Sequence, residues 1–317
     1  MAAAATTDEE FIALFDAVGA TKTAKILGVQ EHNVYKRRRR LEEKHGPINS
    51  PSKQWTSKEY AHRQQLSIKD GVVLVGGDFH IWPGAESTAL RAFKKFAKEL
   101  KPNAVILNGD VLDFPQISRH PPIGWESAPS VKDEIEAAQD HLDDIAKACG
   151  RAKKIWTLGN HDARFETRLA MVAKEYRGLS GIHLSDFFGL WEKGWSCLIN
   201  GDIEGGRTMV KHKPQKGGKD GPRNSALHAG MHFVHNHTHS QKVTAHSDYV
   251  GDRWGVDTGM VGAKDHKAFV DYTEDAALDW REGFCVLTYR AGRLMQPELV
   301  CKWDEKSVQF RGEIIKC

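Results

Sequence analysis

The stretch VVLVGGDFH, residues 72–80, joins an apolar run typical of a strand to an acid and a histidine that stand two positions apart. An apolar run followed by a polar loop recurs three times, as AVILNGDVLD at 104–113, KIWTLGNHD at 154–162 and MHFVHNHTH at 231–239. Helical stretches separate the first three runs, and such alternation predicts an α/β domain built of layers. Loops after strand ends hold the chemistry of such domains, so we expect one site assembled from these loops.

The polar residues of these loops are of the types that bind divalent metal ions. In extended backbone, residues two positions apart face the same way, so Asp78 and His80 can hold one ion together, as can His237 and His239. A single pair of this kind occurs by chance, and a lone histidine is more often structural than a ligand, but four such loops in one domain favour a metal site. Mixed His, Asp and Asn ligands suit Mn²⁺, Fe²⁺, Zn²⁺ or Ni²⁺, whereas Mg²⁺ and Ca²⁺ prefer oxygen alone.

The order of the loops and their position after strands resemble the calcineurin-like metallophosphoesterase family, over residues 71–262. The matching residues are Asp78, His80, Asp110, Asp113, Asn160, His161, His237 and His239. A further ligand of the family is a histidine after a strand, and His212 in RTMVKHKP fits it. His228, His232 and His235 are alternatives, although the pattern places the first in a helix and the other two inside a strand.

Two positions depart from the family pattern. The family usually has glycine where Asn236 stands, and asparagine tolerates the same left-handed backbone reasonably well. It also usually has glycine after the histidine, where Lys213 stands, so His212 is the least secure of the matched ligands.

The resemblance implies an α/β fold, namely a four-layer α-β-β-α sandwich with two mixed sheets, and a site for two divalent ions, Mn²⁺ being the first choice. One ion would bind Asp78, His80 and His239. The other would bind Asn160, His212 and His237, and Asp110 would bridge the two. A hydroxide shared by the ions would then attack phosphorus in line with the departing oxygen.

Three residues outside the ligand set receive roles from the same resemblance. His161 would stabilise the charge that builds up at phosphorus or protonate the leaving group. Asp162 would orient His161 through a hydrogen bond, and Asp113 would support the site in a similar way. Capping of turns is the alternative role for both acids.

Residues 1–46 predict a small all-α domain of the helix-turn-helix type. Thr7 and Glu10 form a capping box before a helix that ends at Gly19, and helices over about 21–27 and 31–44 follow. The third helix carries five consecutive cations, Lys36, Arg37, Arg38, Arg39 and Arg40. The stretch resembles DNA-binding units of bacterial and phage proteins, which implies DNA contact through the third helix. A solvated helical arm is the alternative.

Residues 47–70 combine Pro, Ser and Lys with little periodicity and predict a linker, which leaves residues 71–317 as the metallophosphoesterase domain. The chain carries 45 Lys and Arg against 42 Asp and Glu, so nucleic-acid affinity must come from local patches rather than from a net charge of +3. It has no apolar run of about 18 residues and no leader with basic and apolar parts, which predicts a cytoplasmic protein without a membrane span. Its five scattered cysteines are typical of a reducing compartment.

Two groups of residues near the predicted site could contact a substrate. Arg119 and His120 follow the second loop, although a proline-rich structural turn is the alternative interpretation. Lys211 and Lys213 begin the basic, glycine-containing loop KHKPQKGGKDGPR, which could equally be a solvated loop.

These features together predict a DNA nuclease that hydrolyses phosphodiester bonds, of the kind related to DNA-repair exonucleases. One alternative is a phosphomonoesterase or small-nucleotide phosphodiesterase whose N-terminal unit contacts another protein. A second alternative is a DNA-binding regulator without enzymatic activity. It is less favoured, because an inactive site should have lost some of the matched residues.

Overall fold

The computed structural model describes residues 6–46, 48, 60–119, 128–266, 269–270, 273, 276 and 278–317. The chain divides into two compact units, a helical unit of Met1–Glu59 with Leu169–Asp186 and a sheet unit of Tyr60–Arg168 with Phe187–Cys317. His120, one of the predicted substrate contacts, and most of the predicted linker lie outside the described residues.

Seven α-helices and two short 3₁₀ helices have both of their ends within the described residues. In chain order they are α1 (Asp8–Leu27), α2 (Glu31–His45), α3 (Thr88–Glu99), the 3₁₀ helix Pro115–Ile117, α4 (Val131–Cys149), α5 (Arg164–Val172), the 3₁₀ helix Lys174–Tyr176, α6 (Leu184–Phe187) and α7 (Gly221–Ala229). None of the helices described is both long enough and apolar enough to cross a membrane.

Fifteen strands form the two sheets of the sheet unit in its described part. They are β1 (Gln64–Leu66), β2 (Gly71–Gly76), β3 (Ala104–Leu107), β4 (Lys153–Thr157), β5 (Glu192–Gly194), β6 (Cys197–Ile199), β7 (Thr208–Val210), β8 (His232–His235), β9 (Lys242–Asp248), β10 (Gly251–Asp257), β11 (Gly283–Arg290), β12 (Arg293–Leu294), β13 (Glu298–Asp304), β14 (Ser307–Phe310) and β15 (Glu313–Lys316).

The helical unit follows its local sequence signals closely. The amide of Glu10 donates to Thr7 Oγ1 at 3.1 Å and the amide of Thr7 donates to Glu10 Oε2 at 2.9 Å, which is the capping box that the sequence predicts. At Gly19 the backbone leaves helical values, with φ 75° and ψ 173°, so α1 consists of two helical segments. The buried side chains of Phe15 and Leu41 belong to the apolar cluster that α1 shares with α2.

Both sheets are mixed, as the sequence analysis predicts. The larger one has nine strands in the order β15-β14-β13-β11-β2-β3-β4-β5, with β12 paired to β11. Strands β2 to β5 are parallel, whereas β11 pairs antiparallel with both β2 and β13. The smaller sheet has six strands in the order β1-β6-β7-β8-β10-β9, and β7, β8 and β10 run parallel within it.

The apolar core lies between the two sheets. Val73 and Val75 of β2 belong to the same buried cluster as Val234 of β8 and Val256 of β10, so the cluster joins the sheets face to face. Leu74 stands between the two valines of β2 and is also fully buried. Strand β2 is therefore covered on both faces, which explains its continuous apolar run.

Helices cover the outer faces of the sheets. The ring of Phe284 on β11 lies 5.2 Å from that of Phe93 and 5.3 Å from that of Phe96, both on α3, and α4 packs beside α3. On the smaller sheet, Ala226 of α7 packs in a cluster with Met209 and Phe233. The predicted four-layer α-β-β-α sandwich is therefore confirmed.

One strand lies where the sequence predicts a linker. Strand β1 pairs parallel with β6, with Gln64 opposite Cys197, and Leu66 and Ile68 belong to the core between the sheets. The linker prediction is therefore wrong for these residues. The three-residue strand QQL lacks the apolar run that marks β2, β3 and β4, so its pattern does not distinguish it from a linker.

Candidate metal centre and active site

The predicted metal ligands lie at the ends of neighbouring strands from both sheets. Asp78, Asp110 and Asn160 follow β2, β3 and β4, which are parallel neighbours in the larger sheet. His212 and His237 follow β7 and β8, which are parallel neighbours in the smaller sheet. Because carboxyl ends of parallel strands meet at one edge of a sheet, the fold brings side chains distant in sequence to one place.

The backbone at these loops adopts a rare conformation. Five predicted ligands have left-handed φ values, namely Asp78 (51°), His80 (39°), Asp110 (48°), His237 (72°) and His239 (56°). Such values cost about 1–3 kcal/mol each in residues other than glycine and cluster at functional sites. The loops hold one another in place, because the amide of Asp78 donates to the carbonyl of Gly109 at 2.9 Å and that of His80 donates to the carbonyl of Asp110 at 3.0 Å.

The first group of converging side chains consists of Asp78, His80 and His239, whose candidate ligand atoms all lie within 4.8 Å of one another. Asp78 Oδ1 is 3.1 Å from His239 Nε2 and 3.8 Å from His80 Nε2. The other carboxylate oxygen, Oδ2, accepts the backbone amide of His237 at 2.9 Å. That bond connects the first group to the loop that carries part of the second.

The second group consists of Asp110, His212 and His237, by the same distance criterion. His212 Nδ1 lies 2.9 Å from the carbonyl of Asn108, a contact that fixes the proton on Nδ1 and leaves Nε2 as the ligand atom. Gly109 is required here, since it has φ 82° and a Cβ on it would stand 2.5 Å from the His212 ring. His212 is therefore built into the loop of Asp110.

Several buried atoms of the site make no hydrogen bond within the described part of the chain. They include His80 Nε2, His212 Nε2 and Asn160 Oδ1. His212 Nε2 is 3.0 Å from Asp110 Oδ2 but lacks the alignment of a hydrogen bond, as expected of two ligands that point at one ion rather than at each other. Buried polar atoms need partners. The donor set therefore fits divalent cations.

Comparison with known proteins identifies the family. A family model described as calcineurin-like phosphoesterase matches residues 71–270. The chain belongs to this family. The gene 54 protein of Mycobacterium phage D29 is 26% identical over 240 residues, which cover 69% of this chain and 89% of that protein.

Solved structures similar to this phosphoesterase include Vps29 from Entamoeba histolytica complexed with zinc, at 14% identity and a TM-score of 0.40, over 77% of this chain and 98% of that one. They also include nuclease MPE from Pseudomonas putida, at 15% identity and a TM-score of 0.30, over 71% of this chain and 86% of that one.

The carboxylates and imidazoles of the phosphoesterase site stabilise one another's charged forms. Burial alone would raise the pKa of Asp78, but His239 and His212 hold it well below its usual range. Burial would likewise lower the pKa of His80 and His212, but the nearby carboxylates raise these values to about 10 and about 9. A cation that binds these nitrogens must therefore displace protons. Burial, His212 and Lys213 together lower the pKa of His237 to about 4, so its ring is neutral at pH 7.

His161 lies beside the two groups and is held by Asp113. His161 Nδ1 is 2.6 Å from Asp113 Oδ1, and His161 Nε2 is 3.9 Å from Asp110 Oδ2. The backbone amide of His161 also donates to Asp110 Oδ1 at 2.8 Å. Asp113 contacts His80 Nδ1 as well, at 3.3 Å, so one carboxylate touches both imidazoles.

Asp162 does not have the predicted role of orienting His161. Its carboxylate is buried and accepts four N–H groups, those of the Val111, Leu112 and Gly159 amides and of the Trp156 indole, at 2.8–3.3 Å. Asp162 thus holds the loop after β3 against the loop after β4, which is the capping alternative. The carboxylate that lies 2.6 Å from the His161 ring is that of Asp113.

Two further residues of the site escaped the sequence analysis. Arg164 Nη1 donates to the Asp113 carbonyl at 2.7 Å, and Arg164 Nη2 is 3.2 Å from His161 Nε2. Glu134 of α4 accepts the amides of Asp113 at 3.2 Å and Phe114 at 2.9 Å, and burial raises its pKa to about 8. His161 and Arg164 lie three residues apart in the turn that leads into α5, where the amide of Arg164 donates to the carbonyl of His161 at 2.9 Å, and this short spacing was the available signal.

The alternatives to His212 lie elsewhere. His228 is exposed on α7. His232 is engaged on both sides, with Nδ1 accepting the Trp254 amide at 3.0 Å and Nε2 3.2 Å from the Gly205 carbonyl. His235 Nδ1 lies 2.8 Å from the carbonyl of Asn236. The structure brings His212, and none of these three, into a group of candidate ligands among the residues it describes.

The other predicted contacts differ in exposure. Lys213 and Arg119 are exposed, and Lys211 is half-buried next to the loop of Asn108, whose amide nitrogen lies 3.4 Å from the Lys211 carbonyl. Among the cations of α2, Lys36 and Arg39 are exposed.

Two cations of α2 are engaged within the helical unit. Arg37 Nη2 donates to the carbonyls of Thr6 and Thr7 and to Asp8 Oδ1, at 2.6, 3.0 and 2.8 Å. Arg38 donates to Glu42 Oε1 through both Nε and Nη2. Arg40 is exposed and lies 3.6 Å from the same Asp8 oxygen.

Proposed function

We propose that this phosphoesterase hydrolyses phosphodiester bonds of nucleic acid, with DNA as the first candidate, and that it depends on two divalent ions, Mn²⁺ being the first choice. The observation that carries the proposal is the convergence of two ligand groups, one on Asp78 and one on Asp110, beside half-buried His161, which lies in a further group with His80 and Asp113. When bound, a pair of divalent ions polarises a phosphate oxygen and provides a water nucleophile that is deprotonated at neutral pH.

One set of residues would hold the metal ions, and another residue would transfer a proton. Asp78, His80 and His239 would hold one ion, Asn160, His212 and His237 would hold the other, and Asp110 would bridge the two. His161 would protonate the departing oxygen or stabilise charge at phosphorus. Its side chain is 21% exposed, so a substrate can reach the ring, while Asp113 fixes the ring from the Nδ1 side.

Exposed cations of both units support a polyanionic substrate. Lys213 is exposed and close enough to His237 to influence its pKa. Lys36 and Arg39 of α2 are also exposed, and we propose that the helical unit contacts the same nucleic acid through them. Because the net charge is only +3, such local groups must supply the attraction.

A panel of four substrates tests the proposal. The full chain with Mn²⁺ is incubated with single- and double-stranded DNA, p-nitrophenyl phosphate and bis-p-nitrophenyl phosphate. We expect cleavage of DNA and of the diester, both reduced about 10²–10⁴-fold in His161→Ala. Asp110→Asn should abolish activity by weakening metal binding, whereas His228→Ala, which removes an exposed histidine, should leave it unchanged.

The alternatives predict other outcomes. Activity on the monoester alone would replace the nuclease with a phosphatase. Retained DNA binding without hydrolysis of any substrate would instead favour the non-enzymatic regulator.

A further inference from the structure

A partly exposed pair of aromatic side chains borders the first ligand group and has no role in the proposed reaction. Phe269 lies 5.0 Å from the ring of His80, and Trp280 lies 4.5 Å from the ring of His239. The two are 5.8 Å from each other. We call Phe269 and Trp280 the aromatic shelf. Each contacts a different ligand of the same group, so the shelf lies immediately beside the place where a phosphate would bind.

Backbone hydrogen bonds connect the chain to two of the ligands, before and after the aromatic shelf in sequence. The amide of Gly262 donates to the carbonyl of Asp78 at 2.9 Å, and the amide of Arg281 donates to the carbonyl of His239 at 2.8 Å. Gly262 and Arg281 are therefore each held by the backbone of a different ligand of the first group. This attachment fixes Trp280, which directly precedes Arg281, relative to the centre.

The geometry of the shelf leaves aromatic surface accessible. Its contacts with the imidazoles are edge-to-face, with interplanar angles of 79° for Phe269 on His80 and 69° for Trp280 on His239. Both side chains remain partly exposed. Trp82 extends the aromatic surface, because it and Phe269 border the same small cavity beside His80.

We propose that the aromatic shelf is a subsite for a nucleobase next to the scissile phosphate. This proposal rests on the proposed function. It assigns to the base of the substrate the preference of the enzyme for nucleotide esters over simple esters. A nucleotide combines an anionic phosphate with a flat ring one sugar away, which matches a cation site with an aromatic surface at its edge. Stacking of bases on aromatic side chains contributes about 1–3 kcal/mol per base and tolerates any sequence, as a nuclease of broad specificity requires.

Two esters with the same leaving group test the subsite. Thymidine 5′-(p-nitrophenyl phosphate) and methyl p-nitrophenyl phosphate both release p-nitrophenolate, but only the first carries a base. Wild-type protein with Mn²⁺ should prefer the thymidine ester. Trp280→Ala should raise KM for that ester about tenfold or more while changing KM for the methyl ester less than about twofold. Trp280→Phe should retain most of the preference, and Trp303→Ala, which removes a tryptophan that is 58% exposed on β13, serves as the control.

Equal losses on both esters in Trp280→Ala would overturn the proposal, because the tryptophan would then act only by packing against His239. Hydrolysis of the methyl ester without preference for the thymidine ester would also overturn it and leave the phosphoesterase function standing. Failure of wild-type protein to hydrolyse either ester would count against the proposed function instead.

A binding measurement tests the shelf independently of turnover. Fluorescein-labelled oligothymidylate and an abasic oligonucleotide of the same length are titrated with protein, and anisotropy is recorded. Wild-type protein should bind the oligothymidylate more tightly, and Trp280→Ala should reduce that difference about tenfold. An unchanged difference between the two oligonucleotides would show that no base is bound by the shelf.

Discussion

The sequence predicts a function both for the loops at the strand ends and for the run of cations on α2. In the folded chain the side chains of the loops converge, whereas those of the cation run diverge. The loops contribute side chains from positions as far apart as Asp78 and His239, and these converge until their ligand atoms lie within 4.8 Å. The cations are adjacent in sequence but turn to different surroundings. Arg37 contacts Asp8 and stacks over the Phe11 ring at 4.6 Å, whereas Lys36 and Arg39 face solvent.

The two clusters differ in backbone strain and in the direction of their side chains. The ligands that come together from separate strands adopt strained backbone conformations, and some of their buried polar atoms lack hydrogen-bond partners among the described residues. A purely structural role does not explain this combination. Cations on successive helix positions point in different directions, since each residue rotates about 100° around the axis. A run of charges therefore includes members that stabilise the helix packing and members that are available to a partner.

The largest expected effect concerns Asp113 and Asp162, whose substitution should change different properties, namely kcat and the free energy of unfolding. Asp113→Asn should lower kcat about 10–100-fold with little change in stability, because its carboxylate orients His161 and His80. Asp162→Asn should instead lower the free energy of unfolding by about 1–3 kcal/mol, since an amide nitrogen would face N–H donors that the carboxylate accepts. Steady-state kinetics and urea unfolding measure the two effects, and the exposed Asp140→Asn on α4 is the control. Exchange of the two phenotypes would restore the sequence-based assignment.

The sequence was sufficient for the layers and for the positions of the converging residues. Apolar runs followed by polar loops locate β2, β3, β4 and β8, and family resemblance supplies the order. It was insufficient for the direction in which an individual carboxylate turns. Asp162 is drawn inward by the Trp156 indole and by amides about 50 positions earlier, and those partners become neighbours only after β3 and β4 have paired.

The other differences also depend on partners that are distant in sequence. The partner of Arg37 is 29 positions away on α1, so its engagement depends on how the two helices pack. Glu134 belongs to a helix whose neighbouring positions, such as Ile135 and Ala138, are buried, and only the fold shows that its carboxylate holds the backbone of Asp113 and Phe114. Strand β1 is fixed by its pairing with β6 rather than by a pattern of its own.

The second prediction concerns pH and metal, and it should distinguish the loops from ordinary buried ion pairs. The folded-state pKa values of His80 and His212, about 10 and about 9, lie above the ordinary value of 6.5. Their contribution to stability is therefore complete below pH 6.5 and is lost as the pH rises through 9 to 10. In EDTA the Tm should fall over this range.

With excess Mn²⁺ the trend should weaken or reverse, because a cation competes with protons for the same nitrogens and binds better at higher pH. Differential scanning fluorimetry at a series of pH values measures both profiles. His212→Ala should flatten the EDTA profile. Parallel profiles with and without Mn²⁺ would contradict the assignment of these histidines as ligands.

The smallest expected effects concern the cations of α2, where Arg37→Ala is paired with Arg39→Ala. Arg37 is 26% exposed and donates to three oxygens, so its loss should destabilise the helical unit by about 1–2 kcal/mol after allowance for solvent screening. Hydrogen exchange of the α1 and α2 amides in the full chain measures this change.

Arg39 is exposed, so Arg39→Ala should change stability by less than about 0.5 kcal/mol. If it contacts a phosphate, the variant should bind DNA more weakly and lower the slope of log affinity against log salt by about one. Anisotropy titrations at several salt concentrations measure that slope. Equal slopes for wild type and Arg39→Ala, with the same result for Lys36→Ala, would assign the whole cation run to stability and solvation and would leave the strand-end loops as the functional cluster of the two.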